Sequence, residues 1–223
     1  MEFKRGHNYP GLLISFDGRD GCGKTTQCVR FAEYLRRENY QVISSKEPGG
    51  TIVGDKIRKI LLDHDDEPID SYTELLLFEA SRSQSVSEII KPALKEGRIV
   101  CLDRFFDSTT AYQGATGEVS LDLIFYGNRL ASHGISPDRT YIFDADQKTI
   151  AERIQRNLDR IESKDREFHE RVRRAFVGIS ELESDRVKLI YGNKDPKEIH
   201  EEVIRDFAEL VKFFGYKKQN PNL

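Results

Sequence analysis

A glycine-rich stretch with one lysine and two threonines, FDGRDGCGKTTQ, occupies residues 16–27. Gly18, Gly23, Lys24 and Thr25 stand at the spacing of a phosphate-binding loop, with an apolar run before them and a helical pattern after them. Glycines allow successive backbone N–H groups to turn towards one anion. Lys24 can reach the β- and γ-phosphates, and the Thr25 hydroxyl can ligate Mg²⁺. The stretch therefore predicts a site for a nucleoside triphosphate with Mg²⁺.

The other residues of this loop are less specific. A carboxylate beside phosphates is electrostatically costly, so Asp20 is predicted to point towards another ligand, unless it is a solvated turn residue. Arg19 either contacts a phosphate or is exposed, and Cys22 supplies only small size. The predicted nucleotide-binding set of the loop is Gly18, Arg19, Asp20, Gly21, Cys22, Gly23, Lys24, Thr25 and Thr26.

A second candidate phosphate site follows the apolar run at 98–102. Asp103 comes at the carboxyl end of that predicted buried strand, where open α/β sheets place their ligands, and it can hold Mg²⁺ directly or through water. Arg104 beside it can clamp a phosphate with its planar guanidinium. A purely structural Asp–Arg pair is the alternative interpretation.

Two further sets of residues are spaced for one face of a helix. Phe78 and Arg82 are four residues apart, so an aromatic ring could stack on a base while the guanidinium donates to a base oxygen. A core phenylalanine with an exposed arginine is the alternative. Arg153, Arg156 and Arg160 are also predicted to share a helix face; the alternative there is a solvated helix with ion pairs along its surface.

Length and composition restrict the class of protein. The chain has 223 residues, which fits one domain, and its formal net charge of -3 argues against a dedicated nucleic-acid-binding protein. Three cysteines without paired spacing predict neither a disulfide framework nor a zinc site. Residues 1–10 lack the apolar region of a signal peptide, and every apolar run is too short for a membrane span. These features predict a cytoplasmic protein.

Apolar runs typical of buried strands alternate with helical patterns along the chain. This order predicts an α/β fold in three layers, with a five-stranded parallel sheet flanked by helices on both sides. Residues 217–223 are predicted to form a polar, frayed tail. The predicted strands are 12–16, 41–45, 98–102, 140–143 and 187–191, and the predicted helices are 24–38, 53–62, 72–95, 121–132, 148–158, 165–182 and 197–214.

Several stretches in fixed order resemble the thymidylate kinase family of P-loop nucleoside monophosphate kinases. Besides the phosphate loop they are KEPGGT, LLLFEASR, LDRFFDSTTAYQG, PDRTYIFDAD and DRIESKDREFHERVR, and the likeness runs from Leu12 to about Phe207. The resemblance implies ATP- and Mg²⁺-dependent phosphorylation of dTMP to dTDP in dTTP biosynthesis, by a homodimer formed through helices such as 72–95. A kinase for another nucleoside monophosphate or a deoxynucleoside, and a non-catalytic NTP-binding switch, remain alternatives.

The resemblance also implies residue roles. Asp20 would bind the sugar 3'-hydroxyl, Phe78 would stack on thymine, and Arg82 would hydrogen-bond the base. Arg104 and Arg58 would hold the dTMP phosphate. The nucleoside pocket would be lined by Ser108, Thr109, Tyr112 and Gln113, with Tyr112 placed to disfavour a 2'-hydroxyl. Thr25 and Asp103 would be the metal-binding residues.

The chain departs from the family pattern at several positions. Asp17 stands where glutamate is more common, Arg19 where an apolar residue is usual, and Lys46 where arginine is common. Gly21 occupies the position of the catalytic arginine that some members carry in the phosphate loop. We therefore expect that arginine in a lid at about 153–163, which closes over ATP. The implied catalytic set is Lys24, Asp103 and Arg104, with Arg153, which also binds ATP, or Arg156.

Overall fold

The computed structural model describes residues 3–63, 68–154 and 157–218. Over these residues the chain folds around a five-stranded sheet with the order β2-β3-β1-β4-β5. Every neighbouring pair of strands is parallel. The strands are β1 (Leu12–Gly18), β2 (Val42–Lys46), β3 (Ile99–Asp103), β4 (Arg139–Asp144) and β5 (Val187–Tyr191).

Helices cover both faces of this sheet. They are α1 (Lys24–Arg37), α2 (Ile52–Leu62), α3 (Ser71–Ser85), α4 (Lys91–Lys95), α5 (Phe106–Gly114), α6 (Leu121–Ala131), α7 (Gln147–Arg153), α8 (Arg166–Leu182) and α9 (Pro196–Phe214). On one face, Ile14 and Phe16 pack against α1 and α9. On the other face, Leu13 packs against Val86 and Leu94. The predicted three-layer α/β fold is confirmed.

The carboxyl ends of the strands meet at one edge of the sheet. Phe16 of β1 lies in register with Asp103 of β3, and Lys46 of β2 is paired with the same Asp103. All seven residues of β1 are buried, as expected for a strand covered on both faces. The loops that follow β1, β2, β3 and β4 therefore converge on one place, which is where this class of sheet binds its ligands.

The predicted helix 72–95 is continuous in space but contains one π-helical turn, Val86–Ile90. A π turn adds one residue to a helical turn, and it precedes Pro92, which has no backbone N–H to donate. Val86, Ile90, Ala93 and Leu94 are the buried residues in and after this turn. Ile89 is only half-buried.

One helix prediction was wrong at its end, and one helix was missed. The helix predicted at 148–158 ends at Arg153, because Ile154 takes an extended backbone conformation and its side chain packs on the core around β1 and β4. The helix α5 was not predicted at all, because most of its buried residues are polar and it gives no apolar periodicity.

The first and last described segments are tied to the domain. Ser136 N–H donates to the Gly6 carbonyl oxygen over 2.9 Å, and the buried Phe3 belongs to the core around β1. Of the tail predicted at 217–223 only 217 and 218 are described, and Lys218 Nζ donates to the Glu38 carbonyl oxygen over 2.6 Å. In the described ranges, no helix is both long and apolar enough to cross a membrane.

Candidate active site

The loop between β1 and α1 has a backbone that requires glycine at defined positions. Gly18 has φ 132°, and a Cβ there would lie 2.4 Å from the Phe143 carbonyl oxygen. Gly23 has φ 99° and caps the amino end of α1. Both φ angles are in the region that L side chains avoid. The predicted strand, loop and helix are therefore in place, with the partial positive charge of the α1 terminus at the loop.

Asp20 and the two cations beside it form the charged centre of the site. Asp20 Oδ1 lies 3.0 Å from Lys24 Nζ and 2.7 Å from Arg104 Nη2, and Tyr112 Oη donates to Asp20 Oδ2 over 3.1 Å. Burial alone would raise the pKa of Asp20, but the charges of Arg104 and Lys24 hold it well below its usual range. Asp20 is thus an ionised residue in contact with cations, and the alternative of a solvated turn residue was wrong.

Thr25 and Asp103 lie together at the ends of α1 and β3. Thr25 Oγ1 donates to Asp103 Oδ2 over 2.6 Å. Asp103 Oδ1 is buried and, among the described residues, has no hydrogen-bond partner. A hydroxyl and a carboxylate are oxygen ligands of the kind that Mg²⁺ prefers. The two predicted metal-binding residues therefore fit a magnesium ion that also binds phosphate oxygens.

Arg104 has an unusual backbone conformation, and its side chain has several hydrogen-bond partners. Its φ is 73°, which is uncommon for a residue other than glycine. Its Nη1 donates to the Gly18 carbonyl oxygen over 2.8 Å and to Ser108 Oγ over 3.0 Å. Ser108 Oγ in turn donates to Asp17 Oδ1 over 2.6 Å. Burial, followed by the charge of Asp107, raises the pKa of Asp17, so this carboxyl serves as a buried hydrogen-bonding group beneath Arg104.

A cleft of about 300 Å³ opens beside these groups. One of its walls comes from α3, where Phe78 and Arg82 lie one helical turn apart, and another comes from α5. The predicted residues that line it are Asp20, Lys24, Thr25, Arg58, Phe78, Arg82, Asp103, Arg104, Ser108, Thr109, Tyr112 and Gln113. The structure therefore brings the predicted metal and substrate residues, together with Lys24 of the phosphate loop, into one cavity.

Arg82 is buried beneath this cleft, so the alternative of an exposed arginine was wrong. Its Nε donates to Glu47 Oε2 over 2.9 Å, and its Nη1 donates to Glu79 Oε2 over 2.8 Å and to Asn128 Oδ1 over 2.9 Å. Its Nη2 donates to Thr109 Oγ1 over 2.8 Å. Burial raises the pKa of Glu47 to about 7, although the Arg82 charge opposes the shift. Burial also raises the pKa of Glu79.

Sequence reasoning missed Glu47, Glu79 and Asn128 as partners of Arg82. Glu79 was detectable, because it precedes Arg82 by three residues on the same helix. Glu47 and Asn128 come from a loop and from α6, and only the tertiary structure brings them to Arg82.

Arg19 is not exposed, and its guanidinium is bonded to another part of the protein. It is buried, and its Nη2 donates to the Ala145 carbonyl oxygen over 2.6 Å. At Gly21, φ is 76° and a Cβ would lie 3.0 Å from Ile154 Cγ1, so the loop has little space there for an arginine side chain. Cys22 is buried, and its Sγ would lie 3.0 Å from a Cβ at Gly18, in keeping with the predicted need for small size.

Arg153 and Arg160 do not share a helix face as predicted. Arg153 ends α7 and lies against the phosphate loop, where its Nη1 donates to the Cys22 carbonyl oxygen over 3.3 Å. Its Nη2 donates to the Gly192 carbonyl oxygen over 2.9 Å. Arg160 instead contacts α2 and α3, through the Leu61 carbonyl oxygen and Glu74. Arg156 lies outside the described residues.

The strand–loop–helix at β1 and the parallel sheet around it define a P-loop nucleotide-binding protein. The family model for thymidylate kinase matches residues 16–203. A thymidylate kinase of Exiguobacterium sibiricum is 39% identical over 207 residues, covering 91% of this chain and 96% of the relative. One of Chlorobaculum parvum is 42% identical over 211 residues, covering 89% and 96%.

A solved structure gives the same result. The crystal structure of thymidylate kinase from Ehrlichia chaffeensis has a TM-score of 0.72 and 36% sequence identity, covering 89% of this chain and 98% of that one. The chain belongs to the thymidylate kinase family.

Proposed function

We propose that this protein is a dTMP kinase, which transfers the γ-phosphoryl group of ATP to dTMP and releases ADP and dTDP in dTTP biosynthesis. The observation that carries the proposal is the single cleft that joins phosphate-loop residues to an aromatic and arginine-lined pocket. Membership of the thymidylate kinase family supports the same substrates.

The α3 wall of the cleft would bind the base. Phe78 is half-buried and lines the cleft, so its ring offers a stacking surface for thymine. An arginine has five N–H donors, and four of those of Arg82 are used by the described partners Glu47, Glu79, Asn128 and Thr109. The fifth, on Nη2, is left for a base oxygen.

Asp20 and Tyr112 would bind the sugar. Asp20 would accept a hydrogen bond from the 3'-hydroxyl, and Tyr112, which donates to Asp20, would lie under the deoxyribose and disfavour a 2'-hydroxyl. Ser108, Thr109 and Gln113 complete this wall.

Arg58 and Arg104 would hold the dTMP phosphate. Arg58 lines the cleft and is steadied by its Nη1 bond to the Pro48 carbonyl oxygen at 2.9 Å. Arg104 is fixed by Gly18 and Ser108. The acceptor phosphate carries about two negative charges near neutral pH, so it attacks phosphorus without a strong general base.

The phosphate loop would bind ATP. The positive charges of Lys24 and Arg153 would lower the repulsion between the two substrates. Lys24 would face the β- and γ-phosphates, and the backbone from Gly18 to Thr26 would surround them. Of the lid arginines within the described residues, Arg153 lies beside the loop, and it would stabilise the charge on the transferring group. An oxygen of the dTMP phosphate forms the new P–O bond as the bond to the ADP oxygen breaks.

Thr25 and Asp103 would hold Mg²⁺. When bound, the ion neutralises charge on the β- and γ-phosphate oxygens. Across the described ranges, no group of three or more His, Cys, Asp or Glu side chains is arranged for a metal, which suits a site completed by phosphate oxygens and water.

The proposed function is tested by ADP release with ATP and Mg²⁺ against dTMP, dUMP, CMP, UMP, AMP, GMP and thymidine. We expect turnover dominated by dTMP. Turnover with another acceptor or with thymidine would reject the base and phosphate assignments, and no turnover with any acceptor would favour a nucleotide-binding switch.

We further propose a single kinase domain over 1–223, with residues 1–10 as an extension, a lid at about 153–163, and a homodimer formed through α3 and α6. These two helices pack together, and each exposes apolar side chains. The exposed side chains are Tyr72 and Leu76 on α3, and Phe125, Tyr126 and Leu130 on α6. Exposed apolar patches of this kind mark protein interfaces.

The three buried, unpaired cysteines suit a reducing cytoplasm.

A further inference from the structure

A buried carboxylate, Glu74, lies behind the wall of the cleft. It is 3% exposed and stands on α3, four residues before Phe78 and eight before Arg82. Residues at this spacing share one face of a helix. Phe78 and Arg82 both line the cleft, so Glu74 is the next residue along the face of α3 that would contact the base.

Both oxygens of Glu74 are engaged by side chains from other elements. Gln113 Nε2 of α5 donates to Glu74 Oε1 over 2.9 Å, and Gln113 itself lines the cleft. Arg160 Nη2 donates to Glu74 Oε2 and forms an ion pair with it. One carboxylate therefore connects the cleft wall to the turn at 157–163.

The turn at 157–163 presents Arg160 in a fixed orientation. Asp159 Oδ1 accepts hydrogen bonds from the Ile161 and Glu162 N–H groups, each over 2.9 Å. Glu162 Oε2 accepts from the Asp159 N–H over 2.9 Å. Arg160 Nε donates to the Leu61 carbonyl oxygen over 2.9 Å, at the end of α2. The guanidinium is thus held at α2 and α3 together.

The same turn separates the cleft from a second cavity. That cavity, of about 350 Å³, is lined by Arg19 and Asp20 of the phosphate loop and by Leu158 and Glu162 of the turn. Asp20 and Glu162 also line the cleft. A change in the position of the turn therefore alters the acceptor cleft and the surroundings of the phosphate loop at once.

We propose that the Arg160–Glu74 pair makes the binding of dTMP and the binding of ATP interdependent, with Glu74 and Arg160 as positioning residues. The proposal rests on the proposed function. A ligand against Phe78, Arg82 and Gln113 fixes the wall that holds Glu74, and Glu74 fixes the turn beside the phosphate loop. Each substrate then favours the arrangement that the other requires, which is a coupling free energy between two sites.

The test is calorimetric binding of a non-hydrolysable ATP analogue with Mg²⁺, with and without saturating dTMP. For the native protein, the ratio of the Kd of the analogue without dTMP to its Kd with dTMP is expected to be about five or more. In Arg160→Met the ratio falls to about one, whereas the control Arg98→Met, which removes an exposed ion pair with Glu96, keeps the native ratio. An Arg160→Met ratio equal to the native one, or a native ratio of one, would overturn the proposal.

A second variant separates this role from a structural one. Glu74→Gln is expected to lose the same coupling, and the double variant with Arg160→Met to lose no more than either single variant, because both changes break one contact. Additive losses would reject the pair as the connection. If Glu74→Gln does not fold, Arg160→Met decides alone, since that side chain is partly exposed. If the native protein does not turn over dTMP, the proposed function is rejected. If it does, and Arg160→Met keeps the native effect of dTMP on analogue binding, only this inference is rejected.

Discussion

Arg82 and Glu47 form an ion pair beneath the cleft, with Arg82 Nε 2.9 Å from Glu47 Oε2 and neither residue more than 4% exposed. Glu79 lies on the other side of the same guanidinium, 2.8 Å from Nη1. Two carboxylates thus compete for one buried cation. The charge of Arg82 offsets only part of the desolvation cost, and burial raises the pKa of Glu47 to about 7.

The raised pKa of Glu47 predicts a pH dependence of stability. A carboxyl group whose pKa is higher in the folded state stabilises the fold below its unfolded pKa, and that stabilisation is lost as pH rises through the folded pKa. We expect the free energy of unfolding of the native protein to fall, relative to Glu47→Gln, by up to about 3 kcal/mol between pH 4.5 and pH 8.

Urea unfolding at a series of pH values measures this difference, with the exposed Glu96→Gln as control. Parallel stability curves for the native protein and Glu47→Gln would show that Glu47 is ionised throughout this range.

Lys24 and Arg104 are expected to be essential for turnover. Lys24→Ala removes the cation predicted to face the transferring phosphate, and Arg104→Ala removes one of the two guanidinium groups proposed to hold the acceptor phosphate. We expect kcat to fall by about 10²- to 10³-fold in each variant, as for loss of one preorganised donor to a developing charge. Arg104→Ala should also raise the KM for dTMP.

A coupled assay of ADP release gives these constants, and circular dichroism shows whether each variant is folded. Lys218→Ala is a suitable control, because its ion pair with Glu38 is exposed and lies away from the cleft. A purified variant that keeps near-native turnover would remove that residue from the mechanism.

The exposed apolar side chains of α3 and α6 predict the site of self-association. Leu76 is 67% exposed and Tyr126 is 69% exposed. A charge placed in the centre of such a contact must be desolvated without a partner, so Leu76→Arg with Tyr126→Arg is expected to give a monomer. Light scattering should give twice the 25.7 kDa chain mass for the native protein and a single chain mass for the variant.

Leu182→Arg is the matched control for that experiment. Leu182 is 87% exposed at the end of α8, so the same change there should leave the dimer intact. A native protein that is already monomeric would contradict the proposed dimer.

The parts of the site that depend on local sequence were predictable. Gly18, Lys24 and Thr25 form one continuous motif whose backbone conformation is determined within a few residues. Asp103 was predictable because an apolar strand ends at it and strand ends share one edge of the sheet. The register of Asp103 with Phe16 and Lys46 confirms that position.

The parts that depend on tertiary contacts were not predictable. The partners of Arg82 include Glu47, which is 35 residues away along the chain, and no spacing rule connects them. The end of α7 was missed because the spacing of Arg153 and Arg160 continues a helical period, whereas packing of Ile154 on the core ends the helix.

The polar inner face of α5 has a consequence for the order of folding. Its buried residues include Asp107, which bonds to Arg186 of another segment, and Ser108, which bonds to Asp17 of β1. A nine-residue helix whose buried residues are mostly polar gains little from forming alone. We expect α5 to assemble only after the surrounding sheet and helices are in place. The wall that would bind the nucleoside is therefore the part of the domain that we expect to open first in hydrogen exchange.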